Sequence, residues 1–386
     1  MPLQFLRFLI PFIFGLFFLS VSFSRSYPLR EPQSETWSAP SLGQQNSLGY
    51  DDKTFVTPDS LKPEVDFWIK IYTKYSTQQG VFHYAGDTEQ VLGEIDLSPV
   101  YAHANWSLIR KEKESEIIIR RQKRLIALKY KIKDIKKIRL QMGLKDRMQE
   151  AIRISGLYLP MMEKIFKDKN LPLELTRVVF VESSFNIHAG SKVGASGLWQ
   201  IMPVVSKKFN YMSESQDLRN HPVYATQLAA YIFKQNYQIL KSWPLAITAY
   251  NYGVGSLRKL TKKYHSNDIS HLIENVSAKK SFGFASRSFY ATYLAALYVE
   301  RNANLYFPEP IYKESEMQIN YFKLTKKIPY EKLLALFDGD QKKLKDYNPH
   351  IKSKYLKSGR IIPVQVIVNI PKGAPARLAE SKEISF

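Results

Sequence analysis

The chain has 386 residues, of which 45% are hydrophobic and 24% charged, and this balance excludes a wholly disordered protein. It contains no cysteine, which excludes both a disulfide framework and a lipid anchor attached through cysteine. The formal net charge of +21 favours an anionic partner.

The first 24 residues predict export. Arg7 precedes an uncharged apolar stretch from Phe8 to Phe23, and Ser22 and Ser24 are small residues of the kind found before a cleavage site. We interpret residues 1–24 as a signal peptide, or as a membrane anchor if they are not cleaved. Export to the cell envelope, into the periplasm, would remove nucleic acid as a partner and leave the anionic polymers and surfaces of the envelope.

The next two segments differ in composition. Residues 25–60 are rich in Ser, Pro, Gln and Gly and are predicted to form a flexible linker. Residues 61–150 are predicted to be a helical N-terminal region, in which a basic run over 110–147 carries apolar residues at helical spacing. The simplest interpretation of that run is one long amphipathic helix with a solvated basic face, and the alternative is contact with an anionic envelope surface.

The remaining chain divides into a helical part and a mixed part. Over 151–310, Pro172, Pro222 and Pro244 each stand at the start of an apolar helical pattern, which predicts a compact all-α domain. Over 311–376, β-branched segments flank two short helical pieces and predict a small α+β module. The fold class is therefore expected to be mainly α, with a small α+β module at the C-terminal end.

One stretch of the helical part carries a lone acid beside glycines, "VESSFNIHAGSKVGASGLWQIMP" at 181–203. Glu182 would end an apolar helix, where poor solvation and the negative end of the helix both raise the pKa of a carboxyl group. A raised pKa suits a proton donor, although a helix-ending Glu before an ordinary loop is the alternative. The glycines at 190, 194 and 197 are expected to let a polymer approach the backbone closely.

Three ordered motifs carry a resemblance to a known family. "ESSF", "SKVGASGLWQIMP" and, about fifty residues on, "AYNYG" resemble the catalytic domain of soluble lytic transglycosylases, the glycoside hydrolase family 23 type related to goose-type lysozyme. The resemblance covers roughly residues 150–305. It implies a lysozyme-like helical fold that cleaves the MurNAc-β-1,4-GlcNAc bond of peptidoglycan glycan strands, with 1,6-anhydro-MurNAc as product and no cofactor.

The resemblance also implies roles for single residues. Glu182 matches the single catalytic acid/base, and the matching substrate-binding positions are Ser191, Gly197, Gln200, Met202, Tyr250 and Asn251. Ser191 would hold the N-acetylmuramyl sugar, and Gln200 would hydrogen-bond acetamido groups. Trp199 is the best aromatic candidate for the sugar groove, with core packing as its alternative.

The chain departs from the family pattern at its fourth motif. "ASRSF" has Ala285, Ser286 and Phe289 where the family has Glu, Thr and Tyr, and "AYNYG" has Tyr252 where the family has Ala. We expect these changes to affect contacts in the groove and not the proton chemistry.

Other acids and the histidines are expected to be non-catalytic. The acids near the motif are Glu163, Glu174, Glu214 and Asp217, and Asp217 is expected to hold down the loop before a helix. The seven histidines show no metal-ligand spacing, so we predict no metal site.

Two questions stay open at this stage. The C-terminal module resembles a degenerate LysM domain, a class that binds N-acetylglucosamine-containing chains, but it could equally be a structural cap on the helical domain. For the whole chain, the alternatives to a lytic transglycosylase are a non-catalytic peptidoglycan-binding protein and a muramidase that uses water. A muramidase would be expected to place a second carboxylate opposite Glu182.

Overall fold

The computed structural model describes residues 54–276 and 282–372. The predicted signal peptide at 1–24 lies outside the described residues, as do most of the predicted linker and the last residues of the C-terminal module. Within the described ranges, no helix combines the length and the apolar character needed to cross a membrane.

Helices dominate the described chain, which confirms the mainly α fold class. In the N-terminal part they are α1 (Lys62–Thr73), α2 (Ser98–Tyr101), α3 (Leu108–Lys129) and α4 (Lys145–Ser155). The central part contains α5 (Leu159–Asp168), α6 (Val178–Glu182), α7 (Pro203–Lys207), α8 (Pro222–Leu240), α9 (Trp243–Tyr252), α10 (Val254–Tyr264) and α11 (Ile269–Asn275). Beyond residue 281 come α12 (Phe284–Arg287), α13 (Phe289–Arg301), α14 (Ala303–Tyr306), α15 (Tyr330–Ala335) and α16 (Gln341–Tyr347).

The prediction of a helical N-terminal region did not include the sheet that the structure has within 61–150. An antiparallel sheet with strand order β2-β1-β3 forms there from β1 (Gln79–Tyr84), β2 (Asp87–Asp96) and β3 (Ile138–Met142). β1 and β2 are joined by a tight turn in which Gly86 has φ +111°, a conformation that favours glycine. Val81 and Phe82 of β1 are buried, so the sheet contributes to the core.

The long helix predicted over 110–147 is also wrong in its extent. α3 ends at Lys129, and Lys131 follows with the left-handed φ of +52°. The chain then turns and enters β3 at Ile138, which is buried in the sheet rather than on a helix. Apolar residues recurring in this run therefore belong to α3, to the segment that follows it and to β3, which the helical spacing alone did not separate.

The end of the predicted linker packs against the helices instead of remaining free. Phe55 is buried, and its ring meets Tyr293 edge-on with ring centroids 5.8 Å apart. Leu61 is buried as well. Residues 54–60 are thus part of the folded region, and the linker prediction is untested for 25–53.

The core of the helical part is built around α13. Every residue from Phe289 to Glu300 is buried, as expected of a helix that is surrounded on all sides. α1, α6 and α9 pack against it. α1 therefore ties the N-terminal region to the central helices, and α6 brings Glu182 close to this core.

The C-terminal module has the strand–helix–helix–strand order predicted from the sequence. β4 (Ile319–Lys323) pairs with β7 (Ile367–Pro371), and β5 (Ile328–Pro329) pairs with β6 (Ile361–Ile362), around α15 and α16. Its own apolar core includes Leu333, Phe337 and Leu344.

The module is docked on the chain segment that precedes α8. The backbone N–H of Asp217 donates to the carbonyl oxygen of His350 at 2.7 Å, and that of Lys352 donates to Ser215 at 2.9 Å. The side-chain oxygen of Gln216 accepts from the N–H of Ile367 at 2.8 Å. These bonds join the module to the loop that follows the glycine-rich motif.

Candidate active site

Glu182 is the last residue of α6, a short helix that follows a 3-10 turn at Leu173–Arg177. The other helix residues pack inward, with Val178, Val179 and Phe180 buried. The helix stops because the next residues turn sharply, with left-handed φ values of +50° at Ser184 and +58° at Phe185.

The end of α6 is attached to the glycine-rich segment. Ser183 donates a hydrogen bond from its hydroxyl to the carbonyl oxygen of Leu198 at 2.7 Å. The end of α6, which includes Glu182, is consequently held beside the glycine-rich segment.

The environment of Glu182 favours the protonated carboxyl group. The side chain keeps some exposure, but the atoms packed around it desolvate the carboxylate and raise its pKa to about 8. Among the residues that the structure describes, none hydrogen-bonds to this carboxyl group or pairs with it as a cation. Glu182 therefore carries a transferable proton at neutral pH.

Tyr250 lies close to Glu182. Its hydroxyl donates to the carbonyl oxygen of Trp199 at 2.7 Å, and its ring stacks on Phe233 with centroids 4.8 Å apart. Burial, and then the charge of Glu182, raise the pKa of Tyr250 well above its usual value. The structure thus brings together two of the predicted site residues that are 68 positions apart in the sequence.

Asn251 follows Tyr250 and is exposed at the end of α9. Its side-chain oxygen Oδ1 accepts a hydrogen bond from the hydroxyl of Ser286 at 2.8 Å. The contact connects the "AYN" motif to the altered fourth motif.

Ser191 opens a tight turn on the exposed side of the glycine-rich segment. Its N–H donates to the carbonyl oxygen of Ala195 at 2.9 Å, and its Oγ accepts from the N–H of Ala195 at 2.9 Å. The hydroxyl hydrogen of Ser191 stays available for a ligand.

Gly197 is required by the protein's own packing. With φ +79° and an added Cβ only 2.2 Å from the carbonyl oxygen of Arg219, this position accepts no side chain. The expectation that Gly197 lets a polymer approach is corrected, because the backbone of Arg219 already occupies that space.

Gln200 is also engaged within the loop. Its Nε2 donates to the carbonyl oxygens of Ala189 at 3.0 Å and Gly197 at 2.8 Å, and its backbone has the left-handed φ of +44°. Both amide hydrogens are used, so this side chain has only its oxygen Oε1 to offer to an acetamido group.

Two apolar members of the motif face in opposite directions. Trp199 is fully buried, donates from Nε1 to Thr226 at 2.9 Å and stacks on Phe166. It therefore belongs to the core, and the prediction that it lines the sugar groove is wrong. Met202 is 37% exposed before α7 and remains available for contact with a ligand.

Sequence reasoning missed Arg219 as the residue that supports this loop. Its guanidinium Nη1 donates to the carbonyl oxygens of Gly194 at 2.6 Å and Ile201 at 3.0 Å. Asp217 pairs with the same guanidinium at 2.6 Å, which confirms that Asp217 holds down the loop. The charged pair two residues apart in "DLRN" was the available signal.

Each of the other nearby acids pairs with a cation. Glu174 lies 3.3 Å from Arg301, Glu214 lies 2.7 Å from Lys354, and Glu163 pairs with Arg177. The structure thus gives each of them a structural partner, in contrast to Glu182. Within 54–276 and 282–372, no group of three or more His, Cys, Asp or Glu side chains is arranged to hold a metal ion.

Part of the chain is similar to known proteins. A family model described as the transglycosylase SLT domain matches residues 161–273. Membrane-bound lytic murein transglycosylase D of Escherichia coli (strain K12) is 34% identical over 98 residues, which are 25% of this chain and 22% of that protein. The chain therefore aligns with less than a quarter of the length of this curated relative.

Two solved structures are also similar to parts of the chain. The 70 kDa soluble lytic transglycosylase of Escherichia coli is 24% identical, with a TM-score of 0.32, over 38% of this chain and 24% of its own. An inactive mutant of the lytic transglycosylase Slt from Pseudomonas aeruginosa is 23% identical, with a TM-score of 0.29, over 40% of this chain and 25% of its own. The range matched by the family model includes Glu182 and the glycine-rich segment that follows it.

Proposed function

We propose that this chain is a peptidoglycan lytic transglycosylase in which Glu182 is the single acid/base. The observation that carries the proposal is the carboxyl group of Glu182, whose pKa is raised to about 8 by burial inside an SLT domain. A protonated carboxyl group at neutral pH is what the first chemical step requires. The substrate is taken to be the glycan strand of peptidoglycan, as the names of the relatives suggest.

The reaction needs only one carboxyl group. Glu182 donates its proton to the glycosidic oxygen between MurNAc and GlcNAc, and the bond from C1 of MurNAc to that oxygen breaks, so that GlcNAc leaves with a free hydroxyl group. The acetamido oxygen of MurNAc stabilises the cationic C1. The resulting carboxylate then takes the proton of the MurNAc C6 hydroxyl, whose oxygen bonds to C1 and closes the 1,6-anhydro ring. No water is consumed, and the carboxyl group is regenerated.

The neighbouring residues have supporting roles in this proposal. Burial raises the pKa of the Tyr250 hydroxyl, and Tyr250 is close enough to Glu182 for the charge of that residue to raise this pKa further. The groups that can contact a ligand on the glycine-rich segment are Ser191, Met202 and the side-chain oxygen of Gln200. Gly197 would act indirectly, by allowing the loop to pack on Arg219.

The test uses product mass together with one substitution. Wild-type protein incubated with purified peptidoglycan should release muropeptides that end in 1,6-anhydro-MurNAc, lighter by one water than lysozyme products. Glu182→Gln should lose at least ~10²–10⁴-fold in rate, the usual contribution of general acid–base catalysis. Glu274→Gln, at an exposed position of α11, is the matched control and should retain full activity.

The same experiment separates the alternatives. Reducing-end MurNAc as the main product would identify a muramidase that uses water. Binding to peptidoglycan without any release of muropeptides would identify a non-catalytic binding protein. Near-normal lysis by the Gln variant would remove Glu182 from the mechanism.

The proposal places the protein in the cell envelope, in the periplasm, after export directed by residues 1–24. Deleting those residues should leave the protein in the cytoplasm, and cell fractionation would detect a failure of this prediction. The glycan-binding role of the LysM-like module stays a prediction.

Contact of α3 with an anionic surface belongs to the same proposal. The helix is rich in Lys and Arg and exposes Ile117, Leu125 and Leu128, at 53%, 44% and 76%. Exposed apolar side chains on a basic helix favour an anionic lipid surface. Sedimentation with vesicles that contain an anionic lipid should recover the protein, whereas equal recovery with neutral vesicles would contradict it.

A further inference from the structure

The short helix α12 lies between the N-terminal region and the candidate active site. One of its residues, Ser286, donates the hydrogen bond to Oδ1 of Asn251 at 2.8 Å. Asn251 is next to Tyr250, whose electrostatic environment includes Glu182. A displacement of α12 would therefore change the orientation of a side chain at the candidate groove.

The N-terminal region holds the first residue of α12. The ring of Phe284 lies against His83 of β1, with centroids 5.4 Å apart, and near Trp68 of α1 at 6.4 Å. The guanidinium of Arg139, on β3, lies 4.1 Å from the centre of the same ring, within the range of a cation–π interaction. Residues from three separate elements thus surround one aromatic side chain.

The last residue of α12 is held as well. Arg287 donates from Nη1 to the carbonyl oxygen of Val276 at 2.7 Å, and the charge of Glu64 on α1 acts on the same guanidinium. Phe284 and Arg287 flank Ser286, so the single helical turn is fixed on both sides. The N-terminal region takes part in both contacts.

The hydrogen bond determines which part of Asn251 is available to a ligand. An amide side chain has one oxygen and one NH2 group. Since Oδ1 accepts from Ser286, the NH2 group of the exposed side chain is left as a donor. It suits an acceptor oxygen on a sugar, such as an acetamido carbonyl.

We propose that Ser286 is a positioning residue that orients Asn251 toward the glycan strand, and that the N-terminal region maintains this orientation by holding Phe284. The proposal rests on the proposed function. It assigns a role to the serine that stands in the altered fourth motif, and it makes the N-terminal region part of the catalytic unit.

A double-mutant cycle tests the first half. Ser286→Ala should lower kcat on soluble glycan strands by about 3- to 10-fold, the usual range for one neutral hydrogen bond, with KM changed less than about 2-fold. Ser286→Thr keeps the hydroxyl and should restore the rate. In an Asn251→Ala background, Ser286→Ala should cause no further loss, because the partner is already absent.

The outcomes are distinct. Equal activity of the Ala variant and the wild type, or fully additive losses in the cycle, would overturn the proposal. Failure of Ser286→Thr to restore the rate would also count against it, since the hydroxyl would then not be the relevant group.

A spectroscopic measurement makes the test independent of catalysis. With ¹⁵N-labelled asparagine, the side-chain NH2 signal of Asn251 can be assigned through Asn251→Ala. Ser286→Ala should shift that signal or broaden it, and Ser286→Thr should leave it close to the wild-type position. If the wild type made no anhydro product, the proposed function would fail, while this signal would still decide whether Ser286 orients Asn251.

The second half is tested at Phe284. Phe284→Ala should change the Asn251 signal and lower kcat as Ser286→Ala does, and Arg139→Gln should do so more weakly while keeping the aromatic contacts. Phe209→Ala is the matched control, because Phe209 packs on Tyr231 rather than on α12. An unchanged Asn251 signal in Arg139→Gln together with a folded, fully active Phe284→Ala would overturn this half. If Phe284→Ala does not fold, Arg139→Gln decides the matter. This half of the proposal would be overturned if Arg139→Gln had the same Asn251 signal and the same kcat as the wild type.

Discussion

The pKa of Glu182 sets the pH range in which the proposed reaction can proceed. With a pKa of about 8, the group is a proton donor below pH 8 and a carboxylate above it. We predict that kcat/KM on glycan strands falls on the alkaline side with an apparent pKa near 8, measured as a pH–rate profile. A flat profile between pH 7 and 9 would contradict this prediction.

The same group makes stability depend on pH. Its pKa in the folded state lies above the usual 4.5, so between these values the folded state binds the extra proton and stability falls as pH rises. Glu182→Gln removes this ionisation, so the variant does not share the loss of stability that the wild type suffers at high pH. The melting temperature of the variant minus that of the wild type should therefore be larger at pH 9 than at pH 5. Melting curves at both pH values measure this, and a pH-independent difference would mean that burial does not act on this carboxyl group.

Gly197 gives a second prediction at the residue scale. An alanine there would be strained twice, by φ +79° and by a Cβ 2.2 Å from the carbonyl oxygen of Arg219. Gly197→Ala should lower the free energy of unfolding by more than about 1–3 kcal/mol. Gly255→Ala is the control, because that position in α10 has open space around it, and it should be neutral or slightly stabilising. Denaturant unfolding of the two variants decides the comparison.

At the scale of elements, the buried end of α13 depends on charges. Glu300 is almost fully buried and pairs with Arg177, itself 2% exposed, and with the more exposed Lys313. Removing the carboxylate would take one of the negative charges away from the buried guanidinium of Arg177, so Glu300→Gln should cost about 3–5 kcal/mol. Lys313→Ala should cost less than about 1 kcal/mol, since its side chain is 41% exposed. If the two variants lost similar amounts of unfolding free energy, the burial of Glu300 would not explain the cost of removing its charge.

Helices whose sequence carries its own start signal and apolar spacing could be predicted from the sequence. The helix from Pro222 to Leu240 has a proline in its first turn and apolar residues at helical spacing, and the motif around Glu182 gave the position of the acid. The sheet of the N-terminal region could not be predicted in this way. β1 pairs with β3 across more than fifty residues, and the apolar residues of β3 continue the spacing of α3.

The directions of the side chains in the site depend on tertiary contacts, and these cannot be predicted from the spacing of residues in the sequence. Trp199 is within the motif but faces the core, because Phe166 and Thr226 from other helices contact it. Gln200 donates to carbonyl oxygens that the turn places beside it. Ser286 was noted only as a departure from a motif, and its contact with Asn251 is visible only after folding.

At the scale of the whole molecule, two histidines lie where the C-terminal module meets the central helices. His221 precedes α8 and His350 belongs to the module, and their rings are 4.5 Å apart with both side chains buried. Nδ1 of His221 accepts from the N–H of Val223, and Nε2 of His350 lies 2.8 Å from the carbonyl oxygen of Ile367. Nδ1 of His221 is therefore unprotonated, and Nε2 of His350 carries the hydrogen of its bond.

Burial lowers the pKa of both rings. The pKa of His350 falls to about 4, and that of His221 lies well below its usual value through burial and the charge of His350. The charged or titratable groups facing the pair are Asp217, which acts in the opposite direction on His350, and Tyr224 and Tyr321, whose rings contact His221. Protonation would place two positive charges in this buried contact.

The sign of the pH effect follows from these shifts. Below the usual histidine value of 6.5, the unfolded chain binds protons that the folded chain does not, so stability is fully present above about pH 6.5 and is lost as pH falls toward 4. Each histidine contributes a slope of up to about 1.4 kcal/mol per pH unit. We predict that denaturant unfolding of the wild type shows this loss, together with release of the module.

A variant pair makes the prediction specific to the interface. His221→Asn keeps an acceptor before α8, and His350→Gln keeps a donor for Ile367, so the double variant should lose less stability between pH 6.5 and 4 than the wild type does. His271→Gln, at an exposed position of α11, is the control and should follow the wild-type curve. If the double variant lost stability as steeply as the wild type, the acid sensitivity would lie elsewhere, and the two histidines would be only packing groups between the module and the helices.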